Sequence, residues 1–262
     1  ITKQCFRGCS FCYQNCSYDG KHADSEWIEH LAWGLAQKNV FEVVLGGGEP
    51  TLHPQFLKIL ETLRRYHIIP NFTTAQNQWL RDKDFVAQVV KYAGSVAFSC
   101  HNTYDVRNLG RKILGAGEAL AQKAVLQSII GIVKPSDFRE MLQLANAFGF
   151  DKYSLVGFKQ TGRAPQQIPY PIEQYKLPAL LKKSSFKFYV DTALLHLCPE
   201  IVEKYTCDTI EGKHSMYIDA VAKTMHESSY TGVTIPFERL DFPLLEEVMA
   251  AFQIFQGKKG RK

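Results

Sequence analysis

Short apolar runs alternate with amphipathic stretches along the first 160 residues of the chain. The apolar runs are brief and rich in β-branched and aromatic residues, which is typical of buried strands. Between them apolar positions recur at helical spacing, as at Trp27, Leu31 and Leu35, and Asp24 or Ser25 can cap that helix. The pattern predicts strands over 1–3, 41–45, 69–74, 95–99, 128–133 and 153–158, and helices over 26–37, 54–66, 85–92, 117–125 and 136–147.

This order of elements predicts the fold class. Strands that alternate with helices at such short intervals form βαβ units, and these build a parallel sheet of the α/β class. About six such units fit before residue 160, fewer than the eight of a closed barrel. We therefore expect an open, partial (β/α)6 TIM-like barrel with parallel strands.

The remainder of the chain has a different pattern of polar and apolar residues. Residues 159–178 are polar and carry four prolines, which predicts a loop or linker. Strand-like runs follow at 186–191 and 216–220, and an amphipathic helix is predicted at 244–255. The predicted division is a barrel core at 1–160, a linker at 161–185, and at 186–262 a small α+β C-terminal extension that caps the barrel.

Composition narrows the class of protein. Among 262 residues, 45% are apolar and 22% are charged, values that exclude intrinsic disorder. No run approaches the roughly 18 apolar residues of a membrane-spanning helix, so no membrane association is expected. The formal net charge of +5 permits an anionic partner but gives no strong indication of nucleic acid.

Cysteine placement indicates a metal site. Of seven cysteines, four fall within the first sixteen residues, at Cys5, Cys9, Cys12 and Cys16. An odd number crowded into one segment does not form a disulfide framework. Thiols spaced in this way are typical of metal ligands in a reducing compartment, so the chain is expected to be cytoplasmic.

The spacing C-x3-C-x2-C leaves two metals open. Three thiolates from Cys5, Cys9 and Cys12 can hold one side of an iron–sulfur cube and leave one iron without a protein ligand. Alternatively, Cys16 can supply the fourth ligand of a structural zinc ion. The spacing favours the cluster but does not exclude zinc.

A glycine-rich segment at 46–50 follows the second predicted strand, at the edge where barrel enzymes build their sites. Glycines there let a ligand approach the backbone, and Glu49 can accept hydrogen bonds from an ammonium group. The alternative is a turn that merely ends the strand.

Together these segments resemble a known family. The stretch from Cys5 to Cys12, with Phe11 before the last cysteine, resembles the signature of the radical S-adenosylmethionine (radical SAM) superfamily. The triplet Gly47-Gly48-Glu49 resembles the second motif of that family. Residues 71–74 and 96–99 resemble its third and fourth strands, so the resemblance covers roughly residues 1–160.

The resemblance implies a cofactor pair and a reaction. Cys5, Cys9 and Cys12 would ligate one 4Fe–4S cluster, whose open iron binds S-adenosylmethionine. Reduction of the cluster would cleave the sulfonium C–S bond and yield a 5′-deoxyadenosyl radical, which takes a hydrogen atom from the substrate. The electron would come from a donor such as flavodoxin or ferredoxin.

The resemblance also assigns roles around S-adenosylmethionine. Glu49 and the backbone of Gly47 and Gly48 would hold the methionyl amino group, and Ser99 would contact the ribose or carboxylate. The segments expected to line the adenine through their backbone are Phe11, Ile130 to Ile132, and Val156 to Phe158. One departure is the sequence at 75–77, where many members have Asn-Gly after paired threonines; it leaves the geometry of that loop open.

The C-terminal region points weakly to the substrate. Its outline resembles the extensions of peptide-modifying members, but Cys198 and Cys207 are too few for an auxiliary cluster and are expected to be structural. A peptide or protein side chain is therefore the expected substrate, with a nucleotide or nucleoside as the alternative. A zinc- or cluster-binding module without catalysis is the remaining reading. Lys159 and Arg163 are expected either to contact an anion or peptide at the barrel mouth or to be solvated.

Overall fold

A six-stranded parallel sheet organises the chain in a computed structural model, which describes residues 1–205, 209–212, 214–230, 232 and 234–236. The strands follow one another in sequence order across a sheet that curls into a half-barrel. They are β1 (Glu42–Leu45), β2 (Ile69–Thr74), β3 (Val96–Ser99), β4 (Ala124–Ile130), β5 (Lys152–Gly157) and β6 (Lys187–Val190). The predicted partial barrel of parallel strands is confirmed.

Helices connect successive strands, as the βαβ pattern requires. Asp24 caps the first helix by accepting a hydrogen bond from the backbone N–H of Trp27. The helices are α1 (Ser25–Gln37), α2 (Phe56–Arg65), α3 (Lys83–Tyr92), α4 (Thr103–Ala116), α5 (Glu118–Ala121), α6 (Pro135–Ala147), α7 (Leu177–Lys183), α8 (Thr192–Leu197) and α9 (Pro199–Tyr205).

The predicted first strand at 1–3 is reduced to single bridges. Thr2 pairs in parallel with Gly47 beyond the end of β1, and also pairs with His22. Gln4 pairs with Ser17. These residues, 1–4, which we call the first bridged segment, therefore lie beside β1 at the open edge of the sheet and lead directly into the cysteines.

Side chains alternate between the two faces of the sheet. On one face Phe72, Phe98 and Ile130 are buried in the core beneath the helices, and the Phe72 ring packs edge-on against Phe56 of α2. On the opposite, concave face Ile129 lies beside Val156 in the register, and both are half-buried. The concave face is therefore the part of the sheet that a ligand can reach.

One helix prediction was wrong. The helix predicted at 117–125 is replaced by the short α5 and the beginning of β4, whereas the longer α4 starts at Thr103. Asn102 caps α4 by accepting a hydrogen bond from the Asp105 N–H. On the inner face of the helix Val106 and Ile113 are buried. Likewise, the strand predicted at 128–133 begins earlier, at Ala124, because its apolar run starts there.

The sheet continues past residue 160. β6 pairs in parallel with β5, so a sixth barrel strand lies inside the region predicted as the extension. After it comes a small antiparallel sheet of β7 (Tyr217–Asp219), β8 (Thr224–His226) and β9 (Thr234–Pro236). The division into domains at residue 160 stays a prediction. The helix predicted at 244–255 and Cys207 lie outside the described residues.

Candidate functional site

The cysteine loop, residues 5–16, leaves the first bridged segment at the C-terminal edge of the sheet. Cys5, Cys9 and Cys12 are all partly exposed and none is in a disulfide. A turn in which the Cys12 N–H donates to the Cys9 carbonyl oxygen, at 3.2 Å, folds the loop back. The three thiols share one loop, but no three His, Cys, Asp or Glu side chains of the described residues are arranged to hold a metal ion.

The pKa values of two thiols in this loop are shifted in opposite directions. Contact with the thiol of buried Cys16 lowers the pKa of Cys12 to about 5, and the positive charge of Arg163 acts in the same direction. Burial raises the pKa of Cys5. Since the thiolate is the form that binds metal, the lowered pKa of Cys12 favours its use as a ligand.

Arg163 fastens the cysteine loop to the segment after β5. Its backbone N–H donates to the Cys12 carbonyl oxygen at 2.9 Å, and its Nη1 donates to the Cys16 carbonyl oxygen at 2.7 Å. Its Nε donates to the Cys9 carbonyl oxygen at 3.3 Å. Arg163 is exposed, as expected for a solvated loop, but its guanidinium also binds the cysteine loop, which the sequence did not predict. Such pairing across about 150 residues leaves no local signal in the sequence.

We expect Arg163→Ala to loosen the cysteine loop. A hydrogen bond from a charged donor is worth about 1.5–3 kcal/mol, so loss of the guanidinium should speed amide exchange at Cys12 and Asn15 by about tenfold or more. Arg163→Lys keeps the charge and the backbone contact and should give an intermediate rate. Hydrogen exchange with mass spectrometry measures both variants, and unchanged protection in Arg163→Ala would contradict the assignment.

Lys159 also contacts the cysteine loop. Its ammonium sits 4.8 Å from the ring centre of Tyr13 and 4.9 Å from that of Tyr230, and 3.3 Å from the Asp191 carboxylate. The side chain is only 12% exposed, so it is not a freely solvated group, and its expected contact with an anion or peptide stays a prediction. Cation–π contacts with Tyr13 join the cysteine loop to the C-terminal region.

Gln14 makes the second connection of this kind. Its Oε1 accepts hydrogen bonds from Lys3 Nζ at 2.8 Å and from the Tyr217 hydroxyl at 3.3 Å. Its Nε2 donates to the Ser229 carbonyl oxygen at 3.1 Å, and Lys3 pairs with Asp219 at 2.8 Å. The antiparallel C-terminal sheet and the segment between β8 and β9 therefore contact the cysteine loop and the residues just before it.

The glycine-rich segment approaches the first bridged segment very closely. The Gly48 N–H donates to the Thr2 carbonyl oxygen and the Glu49 N–H to the Gln4 carbonyl oxygen, each at 2.7 Å. A Cβ on Gly47 would lie 2.1 Å from the Thr2 oxygen, and one on Gly48 only 2.0 Å from the Gln4 oxygen. This close backbone contact requires glycine at both positions, independently of any ligand that the segment binds.

The Glu49 carboxylate is 1% exposed and saturated by the protein itself. Its Oε1 accepts from the hydroxyls of Thr51 and Thr74, each at 2.8 Å. Its Oε2 accepts from the backbone N–H groups of Ala75 at 2.8 Å and Gln76 at 3.1 Å. Burial raises the pKa of Glu49, and these donors oppose that rise. The side chain ties the end of β1 to the loop after β2; its role toward an ammonium group stays a prediction.

Ser99 and Phe11 both lie near the C-terminal edge of the sheet. Half-buried Ser99 ends β3 and lines a cavity of 390 Å³, and the Phe11 ring meets His101 edge-on with 5.1 Å between ring centres. Burial lowers the pKa of His101 to about 4, so its ring is neutral at physiological pH. His101, two residues beyond Ser99, therefore lies against the cysteine loop.

The expected adenine-lining segments divide between the two faces. The side chain of Ile130 is 0% exposed in the core under the helices, so only its backbone can face a ligand. Phe158 is also buried, whereas Ile132 and Val156 are half-buried. Ile129, which the sequence analysis did not single out, is the side chain that faces the concave side next to Val156.

Comparison with known proteins fixes the family. The model of the Radical SAM superfamily matches residues 1–166, which include the cysteine loop, the glycine-rich segment and β1 to β5. The chain belongs to this superfamily, and the resemblance inferred from the motifs is confirmed. Membership implies S-adenosylmethionine and a 4Fe–4S cluster as cofactors.

Individual relatives are more distant. A GTP 3',8-cyclase of Haemophilus influenzae is 22% identical over 91% of this chain and 69% of its own length. A probable GTP 3',8-cyclase of Pyrococcus horikoshii is 31% identical, over 28% of this chain. The structure of Streptococcus suis SuiB bound to S-adenosylmethionine has a TM-score of 0.68 and 16% identity over 94% of this chain, and it shows the same fold. This chain spans 24% of the Pyrococcus relative and 65% of SuiB.

Among the described residues, the helices are too short or too polar for any of them to cross a membrane.

Proposed function

We propose that this chain is a radical SAM enzyme that cleaves S-adenosylmethionine reductively and abstracts hydrogen from a substrate. The observation that carries the proposal is the contact between two motifs. The backbone carbonyl oxygens of Thr2 and Gln4, just before Cys5, accept hydrogen bonds from the Gly48 and Glu49 N–H groups, at the ligand-accessible edge of the half-barrel. Family membership supports the same reading.

The residues present fit the implied cofactors. Cys5, Cys9 and Cys12 would hold the cluster, since all are unbridged, partly exposed and in one loop, and Cys12 favours its thiolate. When bound, the cluster and S-adenosylmethionine supply a 5′-deoxyadenosyl radical.

The protein itself positions the loops that would bind the cofactors and excludes water from the site. Arg163 and Gln14 hold the cysteine loop in place, and the Glu49 carboxylate fixes the loop after β2 beside it. The glycine-rich segment presents backbone groups where a methionyl amino group would bind. The concave face, with Ile129 and Val156, offers apolar surface that excludes water from a reactive radical.

A peptide or protein side chain is the proposed substrate. SuiB, which shares the fold, is described in a complex with its precursor peptide SuiA. A nucleotide is the second candidate, and the specific observation in its favour is the similarity to one GTP 3',8-cyclase across 91% of the chain. We further propose a flavodoxin or ferredoxin as electron donor and a cytoplasmic location.

Anaerobic reconstitution tests the proposal. We expect a brown, oxygen-sensitive protein with about four irons per chain, and release of 5′-deoxyadenosine when dithionite and S-adenosylmethionine are added. Iron without 5′-deoxyadenosine would reduce the chain to a cluster-binding module, and zinc in place of iron would overturn the proposal. About eight irons would contradict the single cluster. Incubation with peptide or with GTP then distinguishes the two substrate classes.

A further inference from the structure

The cavity of 390 Å³ lies against the cysteine loop, which contributes Phe6 and Arg7 to its lining. It opens between the ends of β2 and β3 and the helix α4, and we call it the β2–β3 cavity. Its lining combines three cations with amides and one carboxylate, namely Arg7, Arg81, Lys112, Gln76, Asn77 and Asp105. None of the roles assigned above to the cluster or to S-adenosylmethionine uses these side chains.

The three cations of the β2–β3 cavity have no carboxylate partner in the described part of the chain. Arg7 donates to the Ala75 carbonyl oxygen at 3.3 Å, and Lys112 donates to the Asn77 side-chain oxygen at 2.5 Å. Both acceptors are neutral, so they position the cations without cancelling their charge. Burial lowers the pKa of Lys112, and the nearby charge of Arg81 lowers it further, so two like charges are held close together.

Asp105 balances this charge only in part. It is the one acidic side chain on the lining, and its Oδ2 already accepts a hydrogen bond from the His101 N–H at 2.9 Å. Three positive groups against one negative group leave the cavity with an excess of positive charge. Like charges at a shared concave surface are stabilised when an anion binds between them.

Gln76 adds an independent observation. This residue is 8% exposed and lines the β2–β3 cavity, and its Nε2 has no hydrogen-bond partner among the described residues. A buried N–H donor without an acceptor costs about 1–3 kcal/mol, so such groups usually have a ligand or water as their partner. The missing partner of Gln76 is a hydrogen-bond acceptor, as an oxyanion would be.

We infer that the β2–β3 cavity binds an oxyanion, the phosphate or carboxylate group of a small molecule, through Arg7, Arg81, Lys112 and the amide of Gln76. Guanidinium groups match the paired oxygens of both anions, and an ammonium adds a compact charge. Because the site lies beside the cysteine loop, its ligand contacts the same loop that carries the cysteines. The inference does not depend on the reaction proposed above.

Isothermal titration of the reconstituted full chain with pyrophosphate and, separately, with glutarate tests the inference at fixed ionic strength. We expect at least one of the two probes to bind, and the comparison shows whether phosphate or carboxylate is preferred. Arg81→Gln combined with Lys112→Gln should weaken that binding by tenfold or more. The control pair Lys58→Gln with Arg65→Gln on α2 removes the same net charge away from the cavity and should leave binding unchanged.

A second variant keeps the test independent of surface charge. Gln76→Leu removes the unpartnered amide while keeping the backbone contact with Glu49. We expect weaker binding of the probe with no loss of thermal stability, because a buried polar group without a partner is replaced by an apolar one. Absence of binding by both probes, or equal weakening in the α2 control pair, would overturn the inference.

Discussion

Alanine in place of Cys5, Cys9 and Cys12 together is expected to leave the anaerobically reconstituted chain without iron and without release of 5′-deoxyadenosine. The reason is chemical, because three soft thiolates in one loop are the ligands that an iron–sulfur cluster needs. Their partial exposure means that the substitutions open no cavity in the core, so the fold should persist. Iron content, visible absorbance and circular dichroism together measure the effect.

Cys16→Ala is the matched control for the triple variant. Cys16 lies in the same loop but is 2% exposed, and it contacts the Cys12 sulfur instead of facing outward. Iron should therefore be retained, with some loss of stability from the buried cavity. If Cys16→Ala removed metal as completely as the triple variant, four-thiol zinc ligation would replace the proposed cluster. Retention of iron by the triple variant would show that the cysteines are not the ligands.

The strongly periodic parts of the chain were the ones that sequence could predict. The strands at β1, β2 and β3 and the helices α1, α2 and α6 carry clear apolar periods, and their parallel arrangement follows from the βαβ order. The interval from 100 to 130 was harder, since α4 contains glycines at Gly110 and Gly115 that weaken its helical signal. Gly110 is small for a tertiary reason, because a Cβ there would lie 2.4 Å from the Phe148 ring.

The candidate site was predictable only where its parts are contiguous. The cysteine loop and the glycine-rich segment each form a compact motif, so both could be found from sequence. The contacts of Arg163 and Lys159 with the cysteine loop could not be predicted, because their partners lie about 150 residues away in the sequence. The hydrogen bonds that the Glu49 carboxylate accepts depend in the same way on the loop after β2, which lies beside Glu49 only in the folded sheet.

Gly48→Ala is expected to lower the free energy of unfolding by about 1–3 kcal/mol or more, because it forces a methyl group into closely packed backbone. A Cβ at this position would lie 2.0 Å from the Gln4 carbonyl oxygen, and backbone cannot move aside as a flexible side chain can. Relief of the clash must push the first bridged segment away from β1, and with it Cys5. Chemical denaturation measures the loss of stability, and the lost hydrogen bond should speed amide exchange at Glu49.

Gly46→Ala separates this close approach from a general effect of alanine in the same segment. Gly46 has no heavy atom within 4 Å of an added Cβ and does not adopt a positive φ, so the change should leave stability within about 0.5 kcal/mol of the original or raise it slightly. Equal losses in the two variants would mean that the segment is intolerant of any side chain. A harmless Gly48→Ala would mean that the first bridged segment does not lie against the glycines, and the contact proposed to join the cysteine loop to the glycine-rich segment would then fail with it.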